Sequence, residues 1–306
     1  MTKVLSFPKK KVKTTVQRIS SPTAVLLLII AITSATTTGV IVSAWAANLI
    51  GTSGPDTLDG TDEDDHIDGR GGNDIITDGL GSDEVLGGRG DDRIQLEGTG
   101  EDSSSDTEDN RDEADGERGD DNIVIDADGG FIVVHGGSDD DTIRGIQGNG
   151  EIHGDSGNDR VITHEAIFDV WGGSGNDEID GQSECLIPHA YGESGNDRIL
   201  FAGDFSSGGS GDDFIQFFDC RGVAYGDSGN DELRATEEHP NELHGGSGND
   251  KLIGESNIDQ LFGDGGRDTL TGNEGADSFN CGSGTDTITD FNAAEGDTKT
   301  ADCENF

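Results

Sequence analysis

A nine-residue pattern, Gly-Gly-x-Gly-Asn/Asp-Asp-x-Ile/Val/Leu-x, recurs through this chain and limits what it can fold into. Clean copies begin at Gly87 (GGRGDDRIQ), Gly172 (GGSGNDEID), Gly208 (GGSGDDFIQ) and Gly245 (GGSGNDKLI). The first six residues are a turn, in which glycine permits positive φ and close backbone approach. The last three alternate polar-apolar-polar and make a very short strand with one inward side chain. One such strand buries nothing alone, so the units must stack on copies of themselves as a solenoid. Two units, about eighteen residues, make a coil with a turn along each edge, and coils stack about 4.8 Å apart.

The predicted inward ladder is Leu58, Ile67, Ile76, Val85, Ile94, Ile123, Ile143, Val161, Ile179, Ile199, Ile215, Leu233, Leu252, Leu261, Leu270, Phe279 and Ile288. This is a thin aliphatic core. Aromatic content is 5% and mean hydropathy −0.55, so burial of apolar surface alone struggles to offset chain entropy. A cation is the expected supplement. The sixth position supplies Asp56, Asp74, Asp83, Asp92, Asp121, Asp141, Asp159, Asp177, Asp197, Asp213, Asp231, Asp250, Asp268, Asp277 and Asp286, with Asp65 and Asp259 in copies that lack key glycines. Stacking lines these carboxylates up a few ångströms apart, where bare charges repel. Carboxylate and carbonyl oxygens at flexible geometry suit Ca²⁺ better than Mg²⁺, which demands a strict octahedron.

From Gly51 to Phe291 the motif closely resembles the RTX, or haemolysin-type, calcium-binding repeat family; GSGTDTITDF (Gly282–Phe291) is similar to the sequence that often closes such arrays. The resemblance implies an all-β, right-handed parallel β-roll. It implies many Ca²⁺ ions between adjacent turns, held by the sixth-position aspartates and by carbonyls of glycine turns such as those at Gly172, Gly208 and Gly245. The spacing departs from a uniform array. Starts at Gly51, Gly60, Gly69, Asp78 and Gly87 are nine apart, whereas later ones (Gly116, Gly136, Gly154, Gly172, Gly192, Gly208, Gly226, Gly245) are a full coil apart. The expectation is therefore one continuous metal-bearing edge and one variable edge. GIQGNGEIH at Gly145 carries Gly150 where the aspartate belongs, so no metal is expected there.

The formal net charge of −45 excludes nucleic acid as a partner, since phosphate binding needs a basic surface. The acidity recurs in register with glycine, which favours metal binding over disorder. Expected divisions are a leader at 1–46, a first roll segment at 47–97, a flexible acidic insertion at 98–115, the main roll at 116–291 and a tail at 292–306. The basic N-terminus, the apolar run Ala24–Ile32 and Ala44-Trp45-Ala46 match a secretory signal, while residues 24–46 are also long enough to anchor in a membrane. Either places the repeats outside the cytoplasm, secreted or on the cell surface. Four cysteines, Cys185, Cys220, Cys281 and Cys303, suit an oxidising compartment, and Cys281–Cys303 can clip the tail to the last coil.

The expected function is a non-enzymatic calcium-binding roll that folds once calcium neutralises its aspartates. His164-Glu165-Ala166-Ile167-Phe168 starts like a zinc-protease helix, but Phe168 stands where the second histidine ligand belongs. No G-x-S-x-G sequence is present. The alternative is an adhesive module, with Phe168, Trp171, Tyr191, Phe205, Phe217, Phe218 and Tyr225 of the variable edge offered to a glycan or protein partner.

Overall fold

The computed structural model describes residues 46–98, 111–127, 130–164, 166–181, 187–201, 203–218 and 220–305. Expectations for the leader, for residues 99–110 of the acidic stretch and for Cys185 lie outside them. Among the described residues the chain is a parallel β-solenoid. The described residues form no helix; their strands make a 17-stranded and a 13-stranded sheet, and every pairing between these strands is parallel. The thirteen-stranded face counts about thirteen turns.

Each face buries one column of side chains. On the thirteen-stranded face the column runs Ile76, Ile94, Ile123, Ile143, Val161, Ile179, Ile199, Ile215, Leu233, Leu252, Leu270 and Ile288, each at most 1% exposed. The opposite face buries Ile67, Val85, Ala114, Val134, Ile152, Val170, Ala190, Ala224, Leu243, Leu261 and Phe279. Strand register puts like side chains one above another, so the core is two facing ladders.

The roll is narrow at its ends and wide in its middle. Near the C-terminus the strands are two or three residues long, as in Lys251–Ile253 and Gln260–Phe262. From Arg111–Arg118 to Gly203–Ser210 the strands of the wider face run eight residues. The longer coils carry additional buried side chains, including Leu96, Ile125, Ile132, Phe168 and Phe217. The Phe168 ring occupies the space that side chains at Gly145 and Gly148 would need.

Two boundaries differ from expectation. Residues 111–115, assigned from sequence to the flexible insertion, open the strand Arg111–Arg118. That strand pairs with Glu84–Arg89 on one side and Phe131–Ser138 on the other. Its alternation turns Asp112, Ala114 and Gly116 inward, so the ladders run unbroken past the acidic stretch. The expected tail likewise continues the stack. Thr298–Lys299 pairs with Ser278–Asn280, and Cys303 is disulfide-bonded to Cys281 across a Cα–Cα distance of 5.2 Å. Cys220 is disulfide-bonded as well.

Candidate metal centre

The sixth-position aspartates stand at the two edges of the solenoid, just before a strand begins. Their geometry repeats. One carboxylate oxygen, Oδ1, accepts the backbone N–H of the corresponding aspartate one coil earlier. Asp159 N–H donates to Asp177 Oδ1 at 2.8 Å, Asp177 N–H to Asp197 Oδ1 at 2.8 Å, and Asp197 N–H to Asp213 Oδ1 at 2.8 Å. The same link joins Asp56, Asp74, Asp92, Asp121, Asp141, Asp159, and then Asp213, Asp231, Asp250, Asp268 and Asp286. These thirteen aspartates make one file along one edge, and Glu304 completes it by accepting from Asp286 N–H.

The second oxygen, Oδ2, is buried and has no hydrogen-bond partner. This holds for Asp74, Asp92, Asp121, Asp141, Asp159, Asp177, Asp197, Asp213, Asp231, Asp250, Asp268 and Asp286 on the long edge, and for Asp83, Asp259 and Asp277 on the other. These side chains are at most 3% exposed. A buried, unpartnered anionic oxygen is costly. Repeated in register through the described roll, it is a donor set that fits a hard, oxygen-seeking cation. Glycine at the first position is part of the same arrangement. A Cβ at Gly172 would stand 2.5 Å from Asp177 Oδ2, and one at Gly245 2.5 Å from Asp250 Oδ2; at Gly208 it would run into Asp213 Oδ2. The glycine leaves the space that the carboxylate fills.

Burial also sets the protonation of the metal-free roll. Desolvation pushes Asp121 and Asp141 up to about 8, Asp159 and Asp231 to about 7, and Asp177, Asp197 and Asp213 to about 6; neighbouring carboxylates add to the rise, while the backbone N–H held by Oδ1 opposes it.

Among the described residues, the other edge carries such carboxylate files only near its ends. Asp65, Asp83 and Asp112 form a short file near the start, and Asn241, Asp259, Asp277 and Asp297 one near the finish. Asp112, which the sequence pattern does not single out, joins the first of these files, and Asp78 lies near it with its Oδ1 accepting Glu97 N–H. Asp112 and Asp78 are fully buried with an unpartnered Oδ2 and are raised by desolvation, to about 7 and about 8. Asp259, in a copy poor in glycine, sits as deeply as Asp277. Asp56 shows the opposite: its Oδ2 accepts the N–H of Thr52 at 2.5 Å, and Asp65 is satisfied in the same way by Thr61. A threonine at the second position thus caps the carboxylate from within its own turn.

The fifth position, Asn or Asp, has its own role. Asn176 Oδ1 accepts Asn196 N–H at 2.8 Å, and Asn176 N–H donates to Asn158 Oδ1 at 3.0 Å, a second ladder outside the first.

The aromatic residues expected on one edge divide in two. Phe168 and Phe217 are fully buried, and Phe168 lies in the strand Ile167–Ser174 rather than in a helix. Trp171, Tyr191, Phe205 and Tyr225 point outward from the wider face. There they form a stack with His135, His153, His244 and Phe262, ring centroids 4.3 to 5.6 Å apart.

The model of the RTX calcium-binding nonapeptide repeat matches this chain at residues 50–77, 77–98, 133–163, 169–183, 225–261 and 253–288, just over half its length. The chain belongs to the RTX calcium-binding repeat family. It is accordingly a binder of multiple Ca²⁺ ions. No curated protein sequence matches it. Among solved structures it is similar to a hyperactive, Ca²⁺-dependent, β-helical antifreeze protein from an Antarctic bacterium. The identity is 16% and the TM-score 0.42, covering 84% of this chain and 88% of that one. The matched repeats span both the narrow ends and the wide middle of the RTX roll; residues 99–132 and 184–224 lie outside the matches, and there the strand register carries the coils on, as where Arg111–Arg118 pairs with Glu84–Arg89.

Proposed function

We propose that this RTX roll is an extracellular, non-enzymatic protein whose calcium ions sit against the unpartnered Oδ2 atoms of the aspartate files and couple folding to the medium outside the cell. The observation that carries the reading is that file of buried, register-locked carboxylate oxygens, each with one oxygen committed to the backbone and one free. Asp74 to Asp286 of the long edge, with Asp83, Asp112, Asp259 and Asp277 on the other, are the proposed ligands, helped by carbonyls of the glycine turns. Without calcium the ionised files repel and the roll opens; with it, folding and binding are one process. External calcium is abundant enough to fill sites of roughly 10⁻⁴–10⁻³ M affinity.

Adhesion through the aromatic face has less support. Its rings spend their faces on one another and turn edges outward, whereas sugar stacking needs open faces. The test is a calcium titration of the purified chain followed by far-UV circular dichroism, with Mg²⁺ in parallel. A cooperative gain of β signal in Ca²⁺ and none in Mg²⁺ supports the reading. Full β signal in excess chelator at pH 8 refutes it.

A further inference from the structure

The ring stack begins with two imidazoles. His153 lies directly above His135 in strand register, and Asp155 follows two residues later on the same outward side. His135 and His153 are stacked with centroids 4.6 Å apart and planes 7° apart. His135 Nδ1 is 2.9 Å from Asp155 Oδ2. One ligand atom from each of the three residues lies within 4.8 Å of the other two. Donors at ~2.0–2.2 Å from a common zinc ion stand no more than about 4.4 Å apart, and the two exposed-edge rings meet one ion with their in-plane lone pairs by turning out of their parallel stack.

We propose that His135, His153 and Asp155 form a second metal site, separate from the calcium files and selective for a zinc-class transition dication. Two imidazole nitrogens and one carboxylate oxygen suit Zn²⁺ or Cu²⁺, while Ca²⁺ prefers oxygen alone. Acidic neighbours favour a cation here: Asp115 precedes His135 in the column, and Glu151 lies 3.7 Å from His153 Nε2. Trp171, stacked on His153 at 4.5 Å, walls the site and reports on it. The register makes it a local feature. The coils that follow place Trp171, Tyr191, Ser207 and Tyr225 in this column. His244 has Glu242 and Asp264 beside it, but Tyr225 and Phe262 above and below, so it lacks the second nitrogen.

The test uses the full chain with Trp45→Phe, folded in excess Ca²⁺, so that emission comes from Trp171 alone. Bound Cu²⁺ within stacking distance quenches that emission. The expected result is saturable quenching at one Cu²⁺ per chain, reversed by a large excess of Zn²⁺. It weakens at least about tenfold in His135→Gln and in Asp155→Asn, and is unchanged in His244→Gln. Circular dichroism in Ca²⁺ verifies that each variant is folded, and either variant serves if the other is not. Quenching that is equal in all variants, or that further Ca²⁺ abolishes, overturns the proposal, because copper is then reading the aspartate edges.

Discussion

The two edges of this roll solve the same problem with opposite chemistry. Each must close a chain reversal at every coil, about 4.8 Å from the next. The long edge does so with glycine turns and a file of thirteen aspartates, twelve of them with a buried free oxygen. Among the described residues, the other edge uses that device only near its ends. Between them the added width is filled with Ile132, Phe168 and Phe217. A turn of six small residues has no apolar surface to bury and must be closed by backbone bonds and cations. A turn with room for a phenylalanine closes by the hydrophobic effect and needs no metal. Within one chain, aspartate files and buried hydrocarbon close opposite edges of the same coils, and the strands of the wider face are longest where hydrocarbon fills one edge.

The largest expected effect comes from blocking the stacking that both edges share. Gly175 has φ +138° and lies against the Gly157 carbonyl, where a Cβ does not fit. Gly175→Ala should therefore cost more than about 4 kcal/mol, visible as loss of the cooperative unfolding transition even in saturating Ca²⁺. Phe168→Ala, on the metal-poor edge, should cost about 3–5 kcal/mol, with the same loss at 1 mM and 50 mM Ca²⁺ in denaturant titrations. That calcium independence is the point of the comparison, and rescue by calcium would break it.

Asp177→Asn acts the other way. The amide oxygen can still accept the Asp159 N–H, but the anionic Oδ2 is gone. The calcium midpoint should rise several-fold, while the metal-free chain loses one repulsion and is no less stable. Isothermal calorimetry beside chemical denaturation in chelator separates the two.

pH sharpens the same contrast. The buried file carboxylates have folded pKa values raised above the unfolded 3.8 to about 6–8. A raised pKa means the folded state holds more protons, so their contribution is fully present below the unfolded value and is lost as pH rises through 6–8. Without metal the roll should gain stability on going from pH 8 to pH 5.5, protons standing in for calcium. With calcium bound the same acidification should release it. Circular dichroism in chelator at the two pH values reads the first effect, and a calcium electrode the second.

Where the repeat is nine residues long, both turn and inward residue were legible, since glycine, aspartate and aliphatic positions recur together. That is why the ladder of the thirteen-stranded face and most file aspartates could be read directly from Gly87, Gly172, Gly208 and Gly245 outward. In the wide middle the second strand of each coil has no glycine turn before it. Val134, Ile152, Val170 and Ala190 therefore sit in stretches without a period. A signal existed: each lies seven residues before a file aspartate, as Ile152 does before Asp159 and Ala114 before Asp121. Asp112 was hidden by its surroundings, one acidic residue in an acidic run. Its burial follows only from the strand register that turns Asp112 and Ala114 inward together. The bonds from the Thr52 and Thr61 backbone N–H groups to Asp56 and Asp65 are a matter of local turn geometry that the motif alone does not carry.

The most direct test is anomalous diffraction from crystals grown in Ca²⁺. The account predicts a single file of calcium peaks beside the Oδ2 atoms from Asp74 to Asp286, short files at Asp83–Asp112 and Asp259–Asp277, and none along the stretch of Ile132, Phe168 and Phe217. Water or nothing beside Asp159, Asp177 and Asp197 in saturating calcium would contradict it.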